Sequence, residues 1–169
     1  MKTEQLMTKN VRTCIADDVL AIPARIMWEQ DCGSVPVVSS DGSGLVVGML
    51  TDRDICMAAL MQGGKLEEIL VASAMSTDLQ TCQPSHTLSE AEQLMSRAQV
   101  RRLPVVDDAG QLLGLISMAD VAGGSAGMRG ISKKAIPKRD VADTLAAITR
   151  PRGLKAPPPA PTPARSKKK

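Results

Sequence analysis

The sequence predicts an α/β (α+β) fold in which two copies of one β-α-β-β-α unit pack sheet to sheet with pseudo-twofold symmetry. Three observations carry that expectation. The chain repeats itself at a shift of 68 residues, each copy alternates β-rich runs with helical periodicity, and the composition changes abruptly after residue 125.

The repeat is visible in the letters. Placing Met7 and Thr8 on Met75 and Ser76 brings Thr13-Cys14 onto Thr81-Cys82, Leu20 onto Leu88 and Met27 onto Met95. Val35-Pro36-Val37-Val38 then falls on Leu103-Pro104-Val105-Val106. After a loop two residues longer in the first copy, Gly48, Thr51 and Asp54 fall on Gly114, Ser117 and Asp120.

Each copy opens with an extended piece, Arg12–Ile15 or Gln80–Gln83. A helix follows, with Asp17 or Ser85 placed to cap it. Its apolar residues recur at Leu20, Ala24 and Met27, and at Leu88, Ala91 and Met95. Two β-rich runs come next, Ser34–Val38 with Leu45–Leu50 and Arg102–Val106 with Leu112–Ile116, joined by turns rich in Gly and Asp. A second helix covers Asp52–Met61 and Met118–Val121 and ends near Gly63 and Gly123. One copy of roughly 50 residues buries too little surface to be stable alone, so the duplicate supplies the missing partner face. The expected division is 1–64 and 65–125 for the repeats, 126–149 for a linker with a weak helix, and 150–169 for a disordered basic tail.

Composition narrows the function. Aromatic residues are 1% of the chain, with Trp28 alone and ten Met residues as adaptable core filler. A flat ligand must therefore lie between aliphatic side chains, which disfavours the stacking platforms that bind single-stranded nucleic acid. The four cysteines, Cys14, Cys32, Cys56 and Cys82, are scattered and only one His is present, so no metal site is expected. No apolar run approaches the roughly 18 residues that span a bilayer, and the first residues lack a signal-type hydrophobic stretch. The expected compartment is the cytoplasm. Charge is divided unevenly: residues 1–128 carry a net −7 and residues 129–169 a net +10.

The pattern Gly48-x-x-Thr51-x-x-Asp54, repeated as Gly114-x-x-Ser117-x-x-Asp120, lies where a strand gives way to a helix. Two readings fit it. Thr51 and Ser117 suit helix N-caps, and the acidic residue three positions on completes a capping box that need bind nothing. The same geometry also suits a nucleotide. A helix N-terminus favours phosphate, a hydroxyl can donate to a phosphate or ribose oxygen, and a carboxylate can accept from both ribose hydroxyls.

The order of extended strand, helix, Gly33-Ser34-Val35-Pro36-Val37-Val38 and Gly48 to Ile55 resembles a CBS domain, and two in tandem resemble a Bateman module. The resemblance covers roughly residues 1–125 and is close to small stand-alone bacterial proteins of this type. It implies a regulatory module without catalytic residues or catalytic cofactor, binding an adenosine-containing nucleotide such as AMP, ADP, ATP, S-adenosylmethionine or NAD. Thr51, Asp54, Ser117 and Asp120 would hold ribose and phosphate. Thr13, Cys14 and Ile15, with Thr81 and Cys82, would meet the base through backbone groups, between walls supplied by Val35, Pro36, Leu103 and Pro104. Arg53, Arg101 and Arg102 are the phosphate candidates, because guanidinium forks match phosphate oxygens; each equally suits a solvated surface, and Arg53 suits pairing with Asp52 or Asp54. The resemblance also implies a homodimer formed through the helices.

Trp28 reads as a core or subunit-contact residue. His86 sits at a helix start without a nucleophile pattern, and no triad or P-loop is present. Val141, Leu145 and Ile148 mark one face of a weak helix over 140–148, expected to dock on the body or on a neighbour. The basic end, Lys167-Lys168-Lys169 included, can touch nucleic acid by charge alone. The alternative function is therefore a ligand-independent dimerisation or adaptor module, with nucleic-acid contact through that tail.

Overall fold

The computed structural model describes residues 1–125 and 138–150; residues 126–137 and 151–169, which include the expected basic tail, lie outside the described residues. The first repeat holds β1 (Cys14–Ile15), α1 (Ala21–Glu29), β2 (Ser34–Val38), β3 (Val46–Thr51) and α2 (Asp52–Gln62). The second holds α3 (Leu88–Ala98), β4 (Arg102–Val106), β5 (Leu112–Ser117) and α4 (Met118–Ser125), and is followed by α5 (Lys138–Ile148).

β2 lies between β1, which is parallel to it, and β3, which is antiparallel. In the second repeat β4 pairs with β5 in the same way, but the extended piece expected over 80–83 is reduced to one parallel bridge between Cys82 and Val105. Both hairpins slip register at the equivalent step, Val37/Val38 and Val105/Val106. Strand alternation then sorts the side chains. Val35, Val37 and Leu50 enter the first core, and Leu103, Val105 and Ile116 enter the second.

The expected caps of the first helices are corrected by the structure. α1 begins only at Ala21, its N-cap position is Leu20, and no side chain caps it. Asp17 is exposed, and its neighbour Asp18 instead accepts the Ile15 N–H at 2.9 Å. For α3 the cap is Thr87, not Ser85: Thr87 Oγ1 accepts from Glu90 N at 3.2 Å, and Glu90 Oε2 accepts from Thr87 N at 2.7 Å. The Thr87 N–H and hydroxyl, both donating to the carboxylate, hold the exposed Glu90 carboxyl below its ordinary value. Ser85 lies too early, in a turn closed by His86 N donating to Gln83 O at 3.1 Å. α2 ends at Gly63, whose φ of 66° is left-handed and suits glycine. α4 runs through Gly123 to Ser125 instead of stopping at Val121, and packs against α5.

The repeats exchange their lead-in segments. Residues preceding the first repeat pack on the second: Thr3 N donates to His86 O at 2.8 Å, and Leu6 joins the second core. Residues joining the repeats pack on the first: Leu20 N donates to Ile69 O at 2.8 Å, and Ile69 and Val71 join the first core. Each lead-in ends as an extra backbone partner for a sheet edge. Thr8 exchanges hydrogen bonds with Leu115 at 2.9 and 3.0 Å, and Ser76 with Met49 at 2.9 and 3.0 Å. The hairpin tips also meet, through Val46 N to Gly110 O at 3.2 Å and Leu112 N to Gly44 O at 3.0 Å.

The lead-ins lie against Gly48 and Gly114. A Cβ on Gly114 would stand 2.6 Å from the Thr8 carbonyl oxygen, and one on Gly48 would stand 2.8 Å from the Met75 sulfur. Close backbone approach thus requires glycine at position 114, while at position 48 the crowding comes first from the Met75 side chain. α5 docks on α3 and α4, with Val141 and Ile148 buried in the second core and Leu145 left exposed. Among the described residues no helix is long and apolar enough to cross a membrane.

The clash at Gly114 is with backbone, whereas that at Gly48 is mainly with a flexible side chain. Gly114→Ala is therefore expected to lower unfolding free energy by about 1–3 kcal/mol, as overpacking does, and Gly48→Ala by less. Urea unfolding of the two variants checks the order, and an equal or reversed cost would contradict the exchange as its cause.

Candidate functional site

The two motifs make the same set of local hydrogen bonds. Thr51 closes β3 opposite Ser34, and Ser117 closes β5 opposite Arg102. In each case the chain turns at once into a helix. Asp54 Oδ2 accepts from Thr51 N at 2.9 Å and from Thr51 Oγ1 at 2.7 Å, while Thr51 Oγ1 accepts from Asp54 N at 3.2 Å. Asp120 Oδ2 accepts from Ser117 N at 2.9 Å and from Ser117 Oγ at 2.6 Å, while Ser117 Oγ accepts from Asp120 N at 3.2 Å. These are reciprocal capping boxes, and they hold each hydroxyl and carboxylate in a fixed rotamer. All four residues are half-buried.

The helix starts differ in what else they offer. At α2, Asp52 N donates to Gly33 O at 3.3 Å and Arg53 N to Asp52 Oδ1 at 2.7 Å, so the first amides are occupied and an extra carboxylate stands beside them. At α4, Met118 N donates to Arg101 O at 2.9 Å, and Met118 and Ala119 replace Asp52 and Arg53. A phosphate would meet Asp52 at the first helix start and no carboxylate at the corresponding position of the second. The dipole argument therefore favours the Ser117–Asp120 side.

Arg102 crosses between the repeats. Its Nη2 lies 3.4 Å, and Asp52 Oδ2 3.1 Å, from the point where a Cβ on Gly33 would stand. Of the three arginines singled out in the sequence, Arg102 is half-buried between the repeats, and Arg53 and Arg101 are exposed. Arg53 forms no ion pair with Asp52 or Asp54. Sequence reasoning missed Ser34, the counterpart of Arg102. Its Oγ is buried and has no hydrogen-bond partner among the described residues. The alignment of position 34 with position 102 was the available signal.

Not every expected wall residue presents its side chain. Cys14, Val35, Cys82 and Leu103 are at most 3% exposed and belong to the two cores. Alternation along the strands directs them there, so only their backbone is left for a ligand. Pro36 and Pro104 are buried on the opposite faces, while Thr13, Ile15 and Thr81 are half-buried. Burial, with Asp18 nearby, pushes the Cys14 thiol up to about 12, and burial pushes Cys82 up to about 11. Both are protonated and unreactive at neutral pH. Among the described residues no group of three or more His, Cys, Asp or Glu could hold a metal ion.

Two stretches of the chain, residues 4–60 and 67–126, match the CBS-domain family. The chain is a tandem CBS-domain protein. It is 37% identical over 116 residues to the CBS domain-containing protein YhcV of Bacillus subtilis, covering 69% of this chain and 79% of the relative. Hypoxic response protein 1 of Mycobacterium tuberculosis is 30% identical over 111 residues, covering 65% of this chain and 76% of that protein. The solved CBS domain pair of protein MJ0100, in complex with 5-methylthioadenosine and S-adenosyl-L-methionine, shares the fold with a TM-score of 0.66 and 21% identity, covering 76% of this chain and 98% of that one.

Two outcomes follow from this CBS pair. Thr51→Ala and Ser117→Ala each remove a cap and are expected to cost about 1 kcal/mol in urea unfolding; a cost near zero would mean that the boxes do not start the helices. A thiol reagent near neutral pH is expected to modify the exposed Cys56 quickly. Cys14 and Cys82 should react only on unfolding, which mass spectrometry of the labelled chain resolves.

Proposed function

We propose that this CBS pair is a regulatory module, not an enzyme, which binds an adenosine-containing ligand between its repeats and signals occupancy to a partner protein. The ligand class comprises AMP, ADP, ATP, S-adenosylmethionine and NAD. The observation that carries the reading is the duplicated hydroxyl–carboxylate pair, Thr51 with Asp54 and Ser117 with Asp120, held in one geometry at two matched positions. Helix capping alone uses Oδ2 of each carboxylate and leaves Oδ1 to accept ribose hydroxyls. Arg102 is placed to meet a phosphate or carboxylate group of the ligand, with Arg101 and Arg53 on the rim. The base would lie against backbone of residues 13–15 and 81–83, beside Pro36 and Pro104, with no aromatic ring to stack on. The solved MJ0100 pair, with its two adenosine-containing ligands, supports the class.

The Ser117–Asp120 side is proposed as the stronger site, because Asp52 burdens the other with negative charge. The module would act in the cytoplasm as a homodimer, and a ligand shifts its state only by its differential affinity for two conformations. A second reading is favoured by the capping boxes themselves, which give all four residues a structural task without any ligand. On that reading the chain is a ligand-independent dimerisation or adaptor module, with any nucleic-acid contact made by residues 150–169.

Calorimetric titration with each nucleotide separates the two. Binding is expected for at least one, with Asp120→Ala weakening it about tenfold or more, equivalent to ~1.4 kcal/mol, and Asp54→Ala weakening it less. Absence of heat with every ligand leaves the adaptor reading standing, and affinity untouched by both substitutions overturns the assigned site.

A further inference from the structure

At Gly33 the two halves differ in shape as well as in charge. The alignment of the repeats makes Arg101 its counterpart, and sets Ser34 against Arg102 and Asp52 against Met118. Gly33 does not have the left-handed φ that favours glycine. Its missing side chain provides room instead: a Cβ there would stand 3.1 Å from Asp52 Oδ2 and 3.4 Å from Arg102 Nη2. Gly33 and Asp52 line a cavity with Met27, Trp28 and Asp31 among its other walls. Asp52 N donates to Gly33 O at 3.3 Å, so this opening adjoins the start of α2.

Three polar groups border the opening with hydrogen-bonding capacity to spare. Asp52 Oδ1 accepts from Arg53 N at 2.7 Å, and among the described residues Oδ2 makes no hydrogen bond. Arg102 pairs with Ser117 in its own sheet, yet its guanidinium reaches the first repeat and forms no ion pair there with Asp52. Ser34 is 3% exposed, and its Oγ has no hydrogen-bond partner among the described residues. A buried hydroxyl left unpaired is costly. Ser34 stands opposite Thr51 in the ladder, and directly opposed residues of an antiparallel pair share one face of the sheet. The Ser34 side chain is therefore on the side where Thr51 and Asp54 would hold a ribose.

A single charge does not suit this opening. A phosphate beside Arg102 would also meet Asp52, and a simple cation beside Asp52 would meet Arg102. A group carrying both charges a few atoms apart satisfies both neighbours. An α-amino acid is such a group. Its ammonium can donate to Asp52 Oδ2, and its carboxylate can accept from Arg102 and from the Ser34 hydroxyl.

We propose that the first cleft recognises an adenosine whose 5′ substituent ends in a zwitterionic α-amino acid, with Asp52, Arg102 and Ser34 holding that end. S-adenosylmethionine and S-adenosylhomocysteine have this form. The inference rests on the ribose reading of Thr51 and Asp54, and adds which members of the ligand class enter which cleft. The second cleft has Arg101 in place of Gly33 and Met118 in place of Asp52. It is left to ligands that end in phosphate.

Calorimetric titration of the full chain with S-adenosylhomocysteine and with methylthioadenosine isolates the amino-acid end, since both carry adenosine on an uncharged sulfur. S-adenosylhomocysteine is expected to bind about tenfold or more tightly than methylthioadenosine. Asp52→Asn, at an exposed position, and Arg102→Met should each remove most of that advantage. Gly33→Ala should do the same by filling the opening. Asp54→Ala should weaken S-adenosylhomocysteine more than Asp120→Ala does, the reverse of the order expected for AMP. No heat with any adenosine ligand overturns the nucleotide reading and this inference with it. Binding of AMP or methylthioadenosine, with no advantage for S-adenosylhomocysteine, overturns the amino-acid end and spares the nucleotide reading. An advantage that survives all three substitutions, in variants that unfold at the parent's urea midpoint, overturns its placement at Gly33.

Discussion

The exchange of lead-in segments is the constraint on which the rest of the structure depends. Neither repeat completes its own sheet edge. β5 is finished by Thr8, from the start of the chain, and β3 by Ser76, from the connection between repeats. Backbone donors and acceptors at those edges would otherwise go unpaired, and a small sheet is stable only with another layer to bury its face. Folding of one half therefore requires the segment that is covalently attached to the other. The halves are locked together before any ligand is considered.

That arrangement assigns the motif residues different duties. Gly48 and Gly114 admit the lead-in, since a Cβ at either place would press on Met75 or on the Thr8 carbonyl. Thr51 with Asp54, and Ser117 with Asp120, start the next helix. Both duties are structural and are met without any ligand. A hydroxyl and a carboxylate are then fixed at a helix start, at the same place in each half. Preorganisation of this kind comes without an added cost, because the capping bonds that stabilise the fold also lock the side chains.

Two breaks in the pseudo-symmetry matter physically. Asp52 faces no acidic counterpart at Met118, which makes the two helix starts electrostatically unequal. The second helical face is covered by α5, whereas the first shows Trp28 and Leu60 to solvent. A duplicated chain with identical halves would have offered two equal clefts and two equal faces. This one has differentiated both.

Sequence alone determined the repeat, the order of elements and the Thr51–Asp54 and Ser117–Asp120 pairs, because periodicity and capping chemistry act over a few residues. It misplaced the first helix caps, since Asp17 and Ser85 were as suitable locally as the residues used; where the chain turned into α1 and α3 was set by the packing of Leu20 and Leu88. It also expected walls from Val35 and Leu103, whose side chains the strand register turned into the cores. Tertiary structure decided the lead-in exchange, the approach of Arg102 to Gly33, the buried Ser34 and the docking of α5. All of these join residues far apart in the chain, and one-dimensional patterns carry no information about which distant backbone completes a sheet edge. Gly114 shows the division: its position was legible in the sequence, and the Thr8 backbone that makes it necessary was not.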